Sequence, residues 1–230
     1  MKLYSKLSAL GAAVVLSTAF ASATTITIES HAGSGAGDTI YTSTTASGPF
    51  NYSGNIGTSF ALTNVTPTWL AALGTSEWVG VSPTAGPSGT VNPAKGNYTF
   101  TTDLGSGLAG YSGSIDVLAD DTTSVWLNGT ELVAQGGGSD NHCESTGISC
   151  LKVFSVGLPG SAAFVAGDNT LTFVVLQAGT QGPGLKGNPS GLDFSGSISN
   201  SGITPEPSTL LLLGTGLIGS AGALFRRMRA

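Results

Sequence analysis

Hydrophobic and polar positions divide the chain into three regimes. At the N-terminus an uncharged, largely apolar stretch over 7–20 follows Lys2 and Lys6 and ends in Ala21-Ser22-Ala23. A basic start, an apolar middle and small residues at the end predict a secretory signal peptide over 1–23, cleaved after Ala23. At the C-terminus 209–225 reads TLLLLGTGLIGSAGALF without a charge. At about 1.5 Å per residue this run is ~26 Å long, just enough for one transmembrane helix over 208–225. Arg226, Arg227 and Arg229 follow it, and the positive-inside bias makes 226–230 a cytoplasmic tail, with everything before the helix on the outer face.

Between these ends the pattern changes to short alternating segments. Ile26 and Ile28 alternate with Thr over 24–29, and Tyr98 and Phe100 alternate with Asn and Thr over 97–104. Further segments at 58–65, 68–73, 76–81, 151–156 and 191–199 carry the Trp, Phe, Val, Ile and Leu expected of strands, separated by Gly, Pro, Asn and Asp. In 111–134, Ile115, Val117 and Ala119 share a face, as do Val125 and Leu127, with Trp126 pointing the other way. Asn128-Gly129 between Val125-Trp126-Leu127 and Glu131-Leu132-Val133 predicts a two-residue hairpin, because both residues tolerate positive φ. Leu171, Phe173 and Val175 alternate with Thr172, Val174 and Leu176, which predicts a central strand apolar on both faces. No helical period of 3.6 is sustained before the tail. The fold class expected is all-β, a jelly-roll-like two-sheet antiparallel β-sandwich over 24–200, followed by a linker over 201–207.

Charge narrows the partners. Over 24–204 three lysines, Lys95, Lys152 and Lys186, face twelve acidic residues, a net charge of −9. Nucleic acids and anionic lipid surfaces require clustered Lys and Arg, so no nucleic-acid partner is expected. Cys143 and Cys150 are the only cysteines. In an exported chain two cysteines this close predict a disulfide, which contributes about 2.5 kcal/mol in the chain-entropy model. A thiol or zinc centre would need more than the adjacent His142 and shows no fourth ligand.

Asp120-Asp121, with Asp116 on the same strand, is the densest acidic cluster. It reads as a Ca²⁺ site built from carboxylate oxygens, or as a polar turn whose Asp side chains bond nearby backbone N–H groups. Trp126 is a candidate for stacking on a sugar ring, against core packing as the ordinary role of a tryptophan. With Gly-x-Ser-x-Gly, His-Glu-x-x-His and P-loop motifs all absent, no catalytic residue is assigned and a non-enzymatic protein is expected. The alternative enzyme acts on polysaccharide through two carboxylates drawn from Asp116, Asp120, Asp121, Glu131 and Asp193. A structural surface or matrix subunit is the third possibility.

Two resemblances add to this. Pro205-Glu206-Pro207, the apolar helix and the arginines Arg226, Arg227 and Arg229 together closely resemble the bacterial PEP-CTERM sorting signal. That resemblance implies an exosortase-type processing enzyme as partner, a membrane anchor until processing, and a final place at the cell surface or outside, often with extracellular polysaccharide. The pattern GSIDVLADD, then VWLNG, then NTLTFVVL resembles galactose-binding-like β-sandwich modules and the protective-antigen-type sandwich of some lectins. In those lectins adjacent aspartates hold a calcium that chelates sugar hydroxyls, which implies the same for Asp120 and Asp121.

Overall fold

The computed structural model describes residues 24–46, 55–138, 143, 146–158, 164–179, 188–200 and 207–228. They belong to two units, Thr24–Ser201 on one hand and Met1–Ala23 with Gly202–Ala230 on the other. The signal segment 1–23, with its cleavage position after Ala23, lies outside the described residues.

In chain order the strands of the first unit are β1 (Thr24–Glu29), β2 (Thr39–Thr44), β3 (Phe60–Ala61), β4 (Val79–Gly80), β5 (Gly96–Gly105), β6 (Ser112–Asp120), β7 (Thr122–Leu127), β8 (Thr130–Val133), β9 (Phe154–Leu158), β10 (Asn169–Gln177) and β11 (Gly191–Asn200). They form two antiparallel sheets in a β-sandwich-like, all-β arrangement. The first sheet has the order β3-β4-β11-β6-β9, and β1 also pairs with β11. The second has the order β2-β5-β10-β7-β8.

Alternation in sequence becomes alternation in burial. On β5, Tyr98, Phe100 and Thr102 are buried, and on β10, Leu171, Phe173 and Val175 are, while the residues between them are only half-buried. These inward side chains form the core with those of the first sheet, where Phe194 stacks on Phe173 with ring centroids 4.4 Å apart. Tyr41 of β2 completes the filling, 6.1 Å from Tyr98 and 5.7 Å from Phe100. Burying each such ring contributes roughly 1.5–3 kcal/mol. Asn128 (φ 51°) and Gly129 (φ 77°) turn β7 into β8, the hairpin their sequence predicts.

Two expectations change. The segments 58–65, 68–73 and 76–81 yield only the two-residue strands β3 and β4. Asn64 (φ 55°), Pro67 and Gly74 (φ 58°) break the extended run, and turn bonds such as Trp69 N–H to Val65 O and Ser76 N–H to Leu73 O replace ladder pairing. Residues 65–78 instead cross the outer face of the first sheet. β10 is central, between β5 and β7, but its Thr172, Val174 and Leu176 face is half-buried rather than covered.

In the second unit the tail forms α1 (Pro207–Met228), 22 residues with Arg226 and Arg227 in the last turn. Basic side chains there complement the helix dipole. Among the described residues no helix is long and apolar enough to cross a membrane, which leaves the spanning helix expected over 208–225 without structural support. Gly214, Thr215, Gly216, Gly219, Ser220 and Gly222 dilute the apolar content of this helix. Pro205, Glu206 and Arg229 lie outside the described residues.

Candidate functional site: a buried acid corner and an open sheet face

β6 ends at Asp120 and β7 begins at Thr122, so Asp121 sits where the chain passes from one sheet to the other. Asp120 is on the face of β6 that also carries Leu118, opposite the core-facing Val117 and Ala119. It is 0% exposed and Asp121 is 1% exposed. Asp120 accepts hydrogen bonds from Trp69 Nε1–H on Oδ2 and from the Cys143 N–H on Oδ1, each 2.9 Å. Asp121 Oδ2 accepts the Ala178 N–H at 2.7 Å. Gly191 makes the Trp69 contact possible, because a Cβ there would lie 2.9 Å from the indole ring.

Burial raises the Asp120 carboxyl well above its ordinary range, and the neighbouring Asp121 charge raises it further, against the two N–H donors. Among the described residues, none of the groups facing Asp120 is cationic. Cys143 and Cys150 are joined in a disulfide with Cα atoms 5.0 Å apart, and their sulfurs lie with an Asp120 oxygen inside 4.8 Å. Bridged sulfurs offer no thiolate to a metal, and His142 is outside the described residues. The remaining donors are oxygens. Thr122 Oγ1 and Gln177 Oε1, both buried and without a hydrogen-bond partner, belong to residues flanking the corner. Carboxylates with neutral oxygens and no sulfur are the donor chemistry of a hard cation such as Ca²⁺.

Asp116 cannot join that set. Four residues of extended strand separate it from Asp120, about 13 Å, more than one ion's ligand shell spans. Its Oδ1 accepts the Ser155 hydroxyl of β9 instead. Glu131 is on β8 of the second sheet. Asp193 lies on β11 opposite Leu118, 0% exposed, and accepts hydrogen bonds from Ser30 Oγ (2.9 Å), Ser76 Oγ (2.5 Å) and the Leu73 N–H (2.8 Å). Burial raises its carboxyl too, against those donors. Among the described residues, the five acids proposed for glycan chemistry are therefore spread over both sheets, and three of them are buried.

Asp120 and Asp193 share a task that their sequence does not announce. Trp69 bonds one, Leu73 and Ser76 bond the other, and all three belong to the segment covering the first sheet. Trp69 and Trp78 lie in that cover, 1% exposed, with ring centroids 4.4 Å apart, so both are packing residues. Trp126 differs. It is half-buried on the outer face of the second sheet, and its Nε1–H donates to Ser124 Oγ at 2.9 Å. Its cross-strand partners are Glu131 on β8 and Thr172 on β10, and Thr172 pairs in turn with Thr101. The Asp120-Asp121 corner and Trp126 are thus separate features, five to six residues apart along β7.

The fold and these features define an all-β sandwich with a sorting tail. Residues 204–229 match the family model described as the PEP-CTERM protein-sorting motif, so the chain carries that motif. The motif implies export toward the surface and processing by exosortase, a membrane enzyme. No curated protein matches the chain. Among solved structures it is similar to the Podospora anserina GH26-CBM35 β-(1,4)-mannanase, at 19% identity over 79% of this chain and 29% of that one, with a TM-score of 0.33. It is also similar to the PA14 domain of the MpAFP antifreeze protein, at 13% identity over 46% of this chain and 45% of that one, with a TM-score of 0.24. The chain thus spans less than half the length of either.

Proposed function

We propose that this is an exosortase-sorted protein of the cell envelope or extracellular matrix that binds carbohydrate, such as exopolysaccharide, and has no catalytic role of its own. The tail serves as a transmembrane anchor until it is cut. The order β1-β11-β6-β9 facing β5-β10-β7-β8 supports reading the sandwich as a jelly roll. The observation that carries the carbohydrate reading is Trp126, an indole left half-exposed on a sheet face that also presents the hydroxyls of Thr101, Thr170 and Thr172, where apolar sugar faces stack.

Asp120 and Asp121, with Thr122 and Gln177 beside them, would hold Ca²⁺. The ion would supply positive charge to two adjacent carboxylates. With both at most 1% exposed, it would brace the corner rather than chelate sugar directly, unlike the calcium of the lectins the sequence resembles. The test is retention of the full chain, in detergent, on immobilised extracted surface polysaccharide. Retention with Ca²⁺ present and its loss in Trp126→Ala are the expected results. No retention with Ca²⁺ or with chelator would sink the reading.

A further inference from the structure

The face that presents Trp126 is chemically graded, which bears on the carbohydrate it would take; this inference rests on the carbohydrate reading above. Trp126, Thr172, Thr101 and Ile40 form one row of cross-strand partners over β7, β10, β5 and β2. Two residues further along, Thr170 stands opposite Asp103. The hydroxyls of Thr101, Thr170 and Thr172 have no hydrogen-bond partner among the described residues and remain available to a ligand.

At the Asp103 end this face opens into a groove of about 410 Å³, lined by Ile40, Thr101 and Thr170 together with three carboxylates, Asp38, Asp103 and Asp168. The Gly35 N–H holds Asp38 Oδ2 and the Gly105 N–H holds Asp103 Oδ1, both at 2.8 Å, so two of the acids are fixed in place. A neighbouring groove of about 320 Å³ shares Asp103 and adds Glu29 and His31, whose Nε2 is 3.7 Å from Glu29 Oε2. β2, β5, β7 and β10 carry no Lys or Arg. Trp126 and Asp103 are two strands and two residues apart, about 12 Å, within reach of one short oligosaccharide.

A polymer rich in uronate or sulfate would bring like charge to this groove, and a neutral one would gain stacking and hydroxyl contacts only. Charge complementarity is met by ammonium. We propose that the face binds a glycan carrying free amino groups, one ring stacked on Trp126 and a protonated amine held in the groove of Asp38, Asp103 and Asp168.

The experiment is calorimetric titration of the full chain, in detergent and mildly acidic buffer, with a glucosamine oligomer and with its fully N-acetylated counterpart. The free-amine oligomer is expected to bind at least about tenfold more tightly. The double variant Asp103→Asn with Asp168→Asn should bring its affinity down to that of the acetylated oligomer; Asn at 103 keeps an oxygen for the Gly105 N–H. Equal affinity for both oligomers in the unaltered chain, with binding still lost in Trp126→Ala, overturns the amine preference and leaves the carbohydrate reading standing. No binding of either oligomer overturns the amine proposal, and the carbohydrate reading falls with it only if the chain also fails to be retained on the extracted polysaccharide; binding that ignores Trp126→Ala overturns both. Displacement of the oligomer by a short oligolysine peptide at equal concentration also overturns the proposal, because the groove would then be a peptide site.

Discussion

The outer face of the β11-β6 sheet is covered where it carries Leu118, Asp120 and Asp193, whereas the outer face of the β5-β10-β7 sheet lies open from Ile40 to Trp126. Residues 65–78 make the cover, and two buried carboxylates pin it: Asp120 holds Trp69, and Asp193 holds Leu73 and Ser76. Among the described residues neither carboxylate faces a cation in its hydrogen-bond shell; N–H and O–H donors stand in for one. The open face carries threonines together with half-buried Trp126, Ile40, Val174 and Leu176. On these two outer faces, buried carboxylates therefore mark where the first sheet is sealed, and the half-buried Trp126 marks where the second lies open.

The seal can be broken most directly at Asp193. Asp193→Ala leaves the partly buried Leu73 N–H without its acceptor, while the Ser30 and Ser76 hydroxyls turn to the Glu77 and Leu73 carbonyls they already reach. One orphaned donor and a cavity cost about 2–3 kcal/mol. Denaturant unfolding in mildly acidic buffer should show that loss, with limited proteolysis cutting first within 65–78. Unchanged stability would mean that the cover is held by the tryptophans alone.

The same variant sharpens the comparison through pH. Burial raises the Asp193 carboxyl above its ordinary value of 3.8, so the folded chain binds a proton there that the unfolded chain releases. The stabilisation from Asp193 is thus complete below 3.8 and declines as pH rises through the raised value. The deficit of Asp193→Ala relative to the unaltered chain should accordingly be greatest in acid and shrink toward neutrality, by at most about 1.4 kcal/mol per pH unit for one proton. Taking the difference between two chains cancels the other acids. A deficit that grows with pH would show an Asp193 stabilised as carboxylate.

Much of this contrast is local in origin and readable as such. Asn128-Gly129 specifies its hairpin because both positions need positive φ, and Trp126 is out of phase with Val125 and Leu127, which places it on the outer face. The cover is not readable. Trp69, Leu70 and Leu73 look like a strand because nothing nearby says that the Leu73 N–H pairs with an aspartate 120 positions away. The same blindness affects the acids: Asp116, Asp120 and Asp193 are alike in sequence, and the 65–78 segment, with Cys143 over Asp120 and Ser30 over Asp193, makes the last two interior while Asp116 stays with Ser155. Spacing alone could have separated Asp116 from the pair. The threonine face was obscured by β10 itself, whose Val174 and Leu176 suggest cover on both sides.

The open face should respond least of all to substitution. Thr101 and Thr172 are direct cross-strand partners, half-buried, and their hydroxyls have no partner among the described residues. Replacing both with Val exchanges one β-branched side chain for another of nearly equal size, preserves strand preference, and removes no protein hydrogen bond. The expected change in unfolding free energy is within about 0.5 kcal/mol, as for surface sites in general. Glycan affinity, by contrast, should fall, because each hydroxyl is a lost donor and acceptor beside the ring stacked on Trp126. Chemical denaturation and titration on the same double variant separate the two effects. If stability dropped by more than about 1 kcal/mol, the hydroxyls would be part of the fold rather than of a binding face, and the difference between the sealed and the open sheet would disappear.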